Sequence, residues 1–122
     1  MGASVSLDDL EPYLVEGCPF CDIIAGNGPA TIVHRSDVGL AIEPLTPVTP
    51  GHLIVFPIDH VPDALADPLV TASTAAWVAQ IAEEPCNLIT SVGTAATQTV
   101  QHLHWHIVPR REGDGLRLPW SG

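Results

Sequence analysis

Basic residues are scarce in this chain of 122 residues. Four lysines and arginines stand against 14 aspartates and glutamates, which gives a formal net charge of −10 at pH 7. A protein that binds nucleic acid through the phosphate backbone needs a basic surface, so this composition argues against nucleic acid as a partner. A small anionic ligand remains compatible, provided that imidazoles and backbone N–H groups supply the local attraction.

Long hydrophobic runs are also missing. No apolar stretch approaches the roughly 20 residues that span a bilayer, and residues 1–16 lack the charged and apolar regions of a secretory signal. We therefore expect no membrane partner and a cytoplasmic location. Because 46% of the residues are hydrophobic, one domain with one core is expected. We predict a lead-in over residues 1–16 and a single domain over residues 17–122.

Cysteine is rare and unevenly placed. Cys18 and Cys21 form a C-x2-C pair, and Cys86 stands alone. Two thiolates on a tight turn make half of a typical zinc site, which His60 and a histidine from the row described next could complete. The same spacing occurs in thioredoxin-like redox turns and in inert buried pairs, so these alternatives remain open. Cys86 is interpreted as a small core residue.

The most informative segment is residues 101–108, in which three histidines alternate with large apolar residues. This period of two is typical of a half-buried strand, on which His102, His104 and His106 would share one face at a spacing of about 6.8 Å. Buried imidazoles need hydrogen-bond partners, so such a row is costly unless it forms a site. Neutral imidazole is a good nucleophile toward phosphorus.

The loop before this row, residues 91–99, is rich in hydroxyls and small residues. Its hydroxyls, its amide and its unencumbered N–H groups could hold phosphate oxygens as they gain charge. Such a loop alone is more often a simple turn, but next to the histidine row it becomes a candidate substrate site. The candidates are Ser91, Thr97, Gln98 and Thr99.

The rest of the chain predicts an α+β fold with an antiparallel sheet of about five strands and one main helix. Strands are expected over residues 31–34, 38–42, 52–57 and 87–90, and along the histidine row. A short helical turn is expected at residues 22–25. The main helix should begin after an Asp67 cap with Pro68 in its first turn, and should extend to about Glu84.

The segment His102-Leu103-His104-Trp105-His106-Ile107-Val108 resembles the motif of the histidine triad (HIT) superfamily, His-φ-His-φ-His-φ-φ. Further matching segments follow the family's order and spacing: Cys18-x-x-Cys21-x-Ile-Ile, Pro50-Gly51-His52-Leu53, Pro57 with His60, Asn87-Leu88 and Thr97-Gln98-Thr99-Val100. The resemblance covers roughly residues 18–120 and points to the zinc-bearing, Hint-like branch. It implies a HIT-like fold, nucleotide hydrolase or transferase activity and a homodimer.

The resemblance also implies roles for individual residues. His104 would attack the α-phosphorus of a nucleoside phosphoramidate or phosphoanhydride and form a covalent nucleotidyl-histidine, from which water releases a nucleoside monophosphate. A purine nucleotide is the expected substrate. His106 would contact the phosphate or assist the leaving group, Gln98 and Thr99 would bind phosphate oxygens, and His52 would lie close by. Structural Zn²⁺ would be held by Cys18, Cys21, His60 and His102.

The chain departs from the family pattern at three places. Pro44 stands where many relatives have an acidic residue that contacts the ribose, Ser91 stands where many have asparagine, and the region between His60 and Ser91 is shorter. Two alternatives therefore remain. One is a nucleotide-binding adaptor with little activity. The other is a zinc hydrolase that uses His60, His102 and His104 as ligands and leaves both cysteines of the pair unexplained.

Overall fold

The computed structural model describes residues 14–120, and a five-stranded antiparallel sheet lies at its centre. In chain order the elements are α1 (Pro19–Ile24), β1 (Ile32–Arg35), β2 (Gly39–Ile42), β3 (Leu53–Pro57), α2 (Pro68–Ile81), β4 (Cys86–Ile89), a 3-10 turn (Thr94–Ala96) and β5 (Trp105–Pro109). The strand order is β1-β2-β3-β5-β4. The predicted α+β class, with about five strands and one main helix, is confirmed.

Part of the sequence prediction falls outside this range. Of the predicted lead-in over residues 1–16, residues 1–13 lie outside the described residues. The division into a lead-in and one domain stays a prediction. Among residues 14–120, no helix has the length and apolar character that crossing a bilayer requires.

Helix α2 begins where the sequence predicts. The Asp67 carboxylate accepts hydrogen bonds from the N–H groups of Leu69 and Val70, and Pro68 opens the first turn. The helix ends at Ile81 rather than near Glu84, because Ala82 is already extended. Pro85 directly restricts only Glu84, so the chain leaves the helix before the proline requires it to.

The two faces of the sheet bury separate apolar clusters. On one face α1 contributes Phe20 and Cys21, which pack with Leu40, Ile42 and Phe56 of β2 and β3. On the other face Trp77 and Val78 of α2 pack against Ala41, Val55 and Ile107. The sheet requires glycine at position 39, because a Cβ there would overlap the Phe56 carbonyl oxygen on the neighbouring strand.

The histidine row is not one continuous strand, and this corrects the sequence prediction. Strand β5 begins only at Trp105, while His102 and His104 lie in the bend that leads into it. The cause is a different hydrogen-bond partner: the Leu103 N–H donates to the Val61 carbonyl at 2.7 Å, so the bend docks on residues 57–62 instead of pairing with a strand. The other strands lie within one residue of their predicted bounds.

Helix α1 also starts earlier than the predicted turn at residues 22–25. The Cys18 sulfur accepts a hydrogen bond from the Cys21 N–H at 3.4 Å and acts as the N-cap, and Pro19 occupies the first helical position. The two cysteines therefore lie at the start of a helix. Its ring-bearing residue, Phe20, stacks on Phe56 with ring centroids 4.4 Å apart.

Candidate active site and metal centre

Two sulfur and two nitrogen atoms converge at one end of the sheet. His102 Nδ1 lies 3.4 Å from Cys18 Sγ, 3.6 Å from Cys21 Sγ and 3.1 Å from His60 Nδ1. The separation of Cys21 Sγ and His60 Nδ1 is 3.4 Å, and all four donors lie within 4.8 Å of one another. A tetrahedral zinc ion with such ligands requires donor separations of about 3.3–3.8 Å. The donor set therefore fits zinc, and the three sulfur–nitrogen separations of 3.4–3.6 Å lie in this range, while the two imidazole nitrogens are slightly closer.

The protonation pattern of the cluster also favours a cation. The Nε2–H of His102 donates to the Pro57 carbonyl at 2.8 Å, which leaves the Nδ1 lone pair facing the sulfurs. Burial lowers the pKa of His102 to about 4, so its ring is neutral at pH 7. Burial also raises the pKa of Cys21 to about 11, because a buried thiolate lacks compensation unless a metal ion supplies positive charge.

The redox interpretation of the cysteine pair fits less well. A thioredoxin-like motif needs a strand directly before it, and residues 14–18 contain no strand. Within the described residues Cys86 lies outside the cluster, partly buried against the α2 side of the sheet as predicted. Four protein ligands would close a zinc coordination shell, so an ion here would be structural.

His104 is oriented by the backbone of the metal-cluster histidine. Its Nδ1–H donates to the His102 carbonyl at 2.8 Å, so in the neutral ring the lone pair lies on Nε2. Burial lowers the pKa of His104, which keeps the ring neutral at pH 7. The edge of the ring also contacts Phe20, with centroids 5.0 Å apart. The site thus holds a neutral imidazole in one tautomer and one orientation.

His106 is oriented by a second buried histidine. The Val48 N–H donates to Nδ1 of His52 at 3.2 Å, so the proton of the His52 ring lies on Nε2 and is donated to His106 Nδ1 at 2.9 Å. This leaves the remaining N–H of neutral His106 on Nε2. The pKa of His106 is lowered to about 4, mainly by burial and in smaller part by the neighbouring His104 and His52. His52, which the sequence predicts to lie close to the site, thus contacts His106 directly.

A cavity of about 850 Å³ lies beside these two rings. Apolar side chains of α1, β2 and β3 form much of its wall, and the hydroxyl-bearing Thr97 and Thr99 lie on its loop side. Glu43 and Pro44 also line it, so an acidic residue borders the cavity although position 44 itself is proline. The residues that line the cavity include Phe20, Ile23, Ile42, Glu43, Pro44, Ile54, Thr97, Thr99, His104 and His106.

Two of the predicted substrate ligands, Ser91 and Gln98, do not line this cavity, and their roles in binding stay predictions. The Gln98 side chain is buried, and its amide bonds to backbone groups of Gly93, Pro62 and Val100. Both amide hydrogens are already donated, so the side chain does not offer a free donor to a phosphate.

Phe20 is a site residue that the sequence reasoning missed. Its ring contacts the edges of both His102 and His104, at centroid distances of 5.7 and 5.0 Å, and lines the cavity. It therefore lies in contact with both the donor cluster and His104. Its position between the two cysteines was the available signal, because a short helix that carries both sulfurs to the cluster also brings the intervening ring there.

The fold and site define a class: an α+β protein with a Cys₂His₂ donor cluster beside a cavity lined by two oriented histidines. The HIT domain family model matches residues 25–113, and the chain belongs to that family. It is 37% identical over 110 residues to an uncharacterised HIT-like protein of Mycobacterium tuberculosis, covering 83% of this chain and 76% of the relative.

Two further comparisons bear on the site. The adenosine 5′-monophosphoramidase of Schizosaccharomyces pombe is 33% identical over 113 residues, which are 84% of this chain and 82% of that protein. A crystal structure of a zinc-bound histidine triad family protein from Mycobacterium smegmatis superposes with a TM-score of 0.77 and 36% identity, covering 84% of this chain and 81% of the other. Resemblance to the HIT superfamily, including its zinc-binding branch, is confirmed.

Proposed function

We propose that this protein is a nucleotide hydrolase that cleaves nucleoside phosphoramidates or phosphoanhydrides at the α-phosphate. The observation that carries the proposal is the hydrogen bond from His104 Nδ1–H to the His102 carbonyl at 2.8 Å, which leaves Nε2 as a neutral nucleophile beside a large cavity. The similarity to the phosphoramidase of Schizosaccharomyces pombe supports the same reaction class.

The first step forms a covalent intermediate. His104 Nε2 attacks the α-phosphorus, a bond forms between nitrogen and phosphorus, and the bond to the leaving nitrogen breaks with its electron pair. The leaving group takes a proton from solvent and departs as an amine. The Nε2–H of His106 donates a hydrogen bond to a phosphoryl oxygen or to the leaving atom, because His52 occupies the other nitrogen of that ring.

The second step returns the enzyme to its starting state. A water molecule attacks the same phosphorus, the bond to His104 Nε2 breaks, and the water's proton passes to solvent. The product is a nucleoside monophosphate and the ring of His104 is again neutral. Throughout, the His102 carbonyl holds Nδ1–H, so the positive charge on the phosphorylated imidazole lies against a carbonyl dipole.

The cavity suits a nucleoside joined to a phosphate, and a purine nucleotide is our proposed substrate. Thr97 and Thr99 offer hydroxyls on the loop side, while Ile23, Ile42 and Ile54 form an apolar wall for a base. Asp22 and Glu43 are the acidic residues of this lining, and Glu43, next to Pro44, is our proposed acceptor for the ribose hydroxyls.

A zinc ion held by the Cys₂His₂ cluster would join three segments of the chain, namely α1, the residues after β3 and the bend before β5. It would supply stability rather than activated water, because four protein donors fill its shell. His104 is not among those donors, and its Nδ1 is engaged by a carbonyl. The geometry therefore disfavours the zinc hydrolase alternative.

The proposal is tested with an adenosine phosphoramidate that carries a fluorescent amine. Turnover by the wild type is compared with His104→Ala and His104→Gly, and with His34→Ala as a matched control at an exposed histidine on β1. We expect both His104 variants to lose turnover by at least about 10³-fold, as for loss of a nucleophile. Their zinc content and far-UV circular dichroism should stay normal, and His34→Ala should retain full activity.

Three outcomes would contradict the proposal. Unchanged turnover in His104→Ala would remove the nucleophile from the mechanism. Loss of zinc in that variant would favour the zinc hydrolase alternative. Wild-type protein that binds AMP without turning over the substrate would identify a nucleotide-binding adaptor.

We further propose that two copies associate through the outer face of α2. From Pro68 to Ile81 this helix carries no charged residue, in a chain whose formal net charge is −10. Its exposed residues include Leu69, Ala72 and Ala76. A neutral face of mostly small side chains allows two acidic subunits to approach closely at the one helix where like charges do not repel.

A further inference from the structure

The Gln98 side chain, near the candidate active site, forms three hydrogen bonds to backbone groups. It is 3% exposed. Its Oε1 accepts from the Gly93 N–H at 2.8 Å, and its Nε2 donates to the carbonyls of Pro62 at 2.6 Å and Val100 at 3.0 Å. One side chain thus connects the loop of residues 93–97, the chain leading to the histidines and the segment that carries His60.

The residue before it has an unusual backbone conformation. Thr97 has φ 74° and ψ 19°, in the left-handed region, although it is β-branched. For an ordinary residue this conformation costs about 1–2 kcal/mol, equivalent to a factor of about 5–30 in population. Among the described residues Thr97 is the one non-glycine with positive φ, and it lines the cavity.

The surrounding hydrogen bonds show what maintains that conformation. The Thr97 N–H donates to Thr94 at 2.9 Å, and the Gln98 N–H donates to the Gly93 carbonyl at 3.1 Å. Because the Gln98 side chain also accepts from the Gly93 N–H, residues 93 and 98 are joined by two reciprocal hydrogen bonds. These two bonds close the loop of residues 93–98, in which Thr97 has the left-handed conformation.

We propose that Gln98 is a positioning residue, and that its side chain holds Thr97 in the left-handed conformation so that the loop presents the Thr97 and Thr99 hydroxyls to a phosphate in the cavity. This inference rests on the proposed function for its ligand, a nucleoside monophosphate. It departs from the sequence interpretation, in which the Gln98 amide itself binds phosphate oxygens. The two roles can be distinguished by experiment. A positioning residue is no longer needed once the strain at Thr97 is removed, whereas a direct ligand of the phosphate is needed in either case.

The test is a double-mutant cycle on the zinc-loaded protein. Gln98→Leu is made in the wild type and in a Thr97→Gly background, since glycine adopts positive φ without cost. The dissociation constant for AMP is measured by titration calorimetry. We expect Gln98→Leu to weaken binding by about 5–30-fold in the wild type, which is the population factor of the left-handed conformation, and by less than about twofold in the Thr97→Gly background. Gln101→Leu, at an exposed position nearby, should bind AMP as the wild type does.

A second measurement does not depend on nucleotide binding. Amide hydrogen exchange of Gly93, followed by NMR, should be faster in Gln98→Leu because its acceptor is gone. Gln98→Glu keeps that acceptor but loses both donated bonds, so Gly93 should stay better protected than in the leucine variant. This variant also keeps the test available if the leucine variant fails to fold.

The outcomes separate this inference from the proposed function. An equal loss of AMP binding in both backgrounds identifies Gln98 as a direct ligand and overturns the inference. Unchanged Gly93 exchange in Gln98→Leu overturns it as well. If Gly93 exchanges faster in Gln98→Leu but the protein never binds AMP, the positioning role of Gln98 is supported and only the proposed function is contradicted.

Discussion

Removing zinc should unfold this protein. The four donors come from three segments that are far apart in sequence: Cys18 and Cys21 at the start of α1, His60 after β3, and His102 before β5. Structural zinc in small sites contributes about 10–16 kcal/mol at pH 7, and the stability of a whole domain is about 5–15 kcal/mol. The ion would thus account for most or all of the stability, and the zinc-free chain should be largely unfolded at 25 °C.

The assay removes zinc with a chelator under reducing conditions and measures residual metal by atomic absorption. Far-UV circular dichroism and the thermal midpoint are then recorded before and after zinc is added back. Cys18→Ser should reproduce the effect of chelation, because it removes one of the four ligands. Cys86→Ser is the matched control, since this thiol lies outside the donor cluster and its loss should leave zinc content unchanged.

The reasoning is refuted by a zinc-free protein with an unchanged thermal midpoint. It is also refuted if Cys86→Ser loses zinc as readily as Cys18→Ser. Recovery of the midpoint on adding one equivalent of zinc would show that the effect comes from the metal and not from thiol oxidation.

Two further predictions concern pH and assembly. Because burial lowers the pKa of His106 from 6.5 to about 4, its ring should stay neutral in the folded protein until the pH falls to about 4, whereas the stability linked to it is fully present above pH 6.5 and is lost progressively between pH 6.5 and about 4. In the folded enzyme kcat/KM should follow the neutral ring, and an acid limb at pH 6.5 would contradict this. For assembly, Ala76→Glu on the exposed face of α2 should convert a dimer into a monomer in sedimentation velocity, whereas Glu112→Ala, in the exposed turn after β5, should not. A wild type that sediments as a monomer at micromolar concentration would refute the proposed interface.

The sequence predicts the fold well because its signals are local. Short apolar runs bounded by turn residues and prolines located the first four strands to within one residue, and the Asp67-Pro68 pair marked the start of α2. The end of α2 was placed about three residues too late, and the start of β5 was misjudged because it depends on a partner that is distant in sequence. The extension of the histidine row into a strand was wrong because Leu103 bonds to Val61 and not to a strand neighbour.

The candidate site could be predicted by residue type but not by role. The row of histidines and the cysteine pair were visible in the sequence, whereas their tautomers were not. Which nitrogen of His104 carries the lone pair depends on a carbonyl two residues earlier, and the His106 tautomer depends on the Val48 N–H acting through His52. The role of Gln98 was likewise invisible, because the acceptor at Pro62 lies 36 residues away in the chain.

Residues 57–62 have a consequence for how this protein tolerates change. The carbonyls of Pro57, Val61 and Pro62 accept hydrogen bonds from the His102 ring, the Leu103 N–H and the Gln98 amide. Every residue type has a backbone carbonyl oxygen. These hydrogen bonds therefore depend more on the number of residues in the segment 57–62 than on its side chains. One inserted or deleted residue would shift the acceptors relative to one another and misalign His102, His104 and the loop of residues 93–98 together, even with every side chain of the candidate site still present.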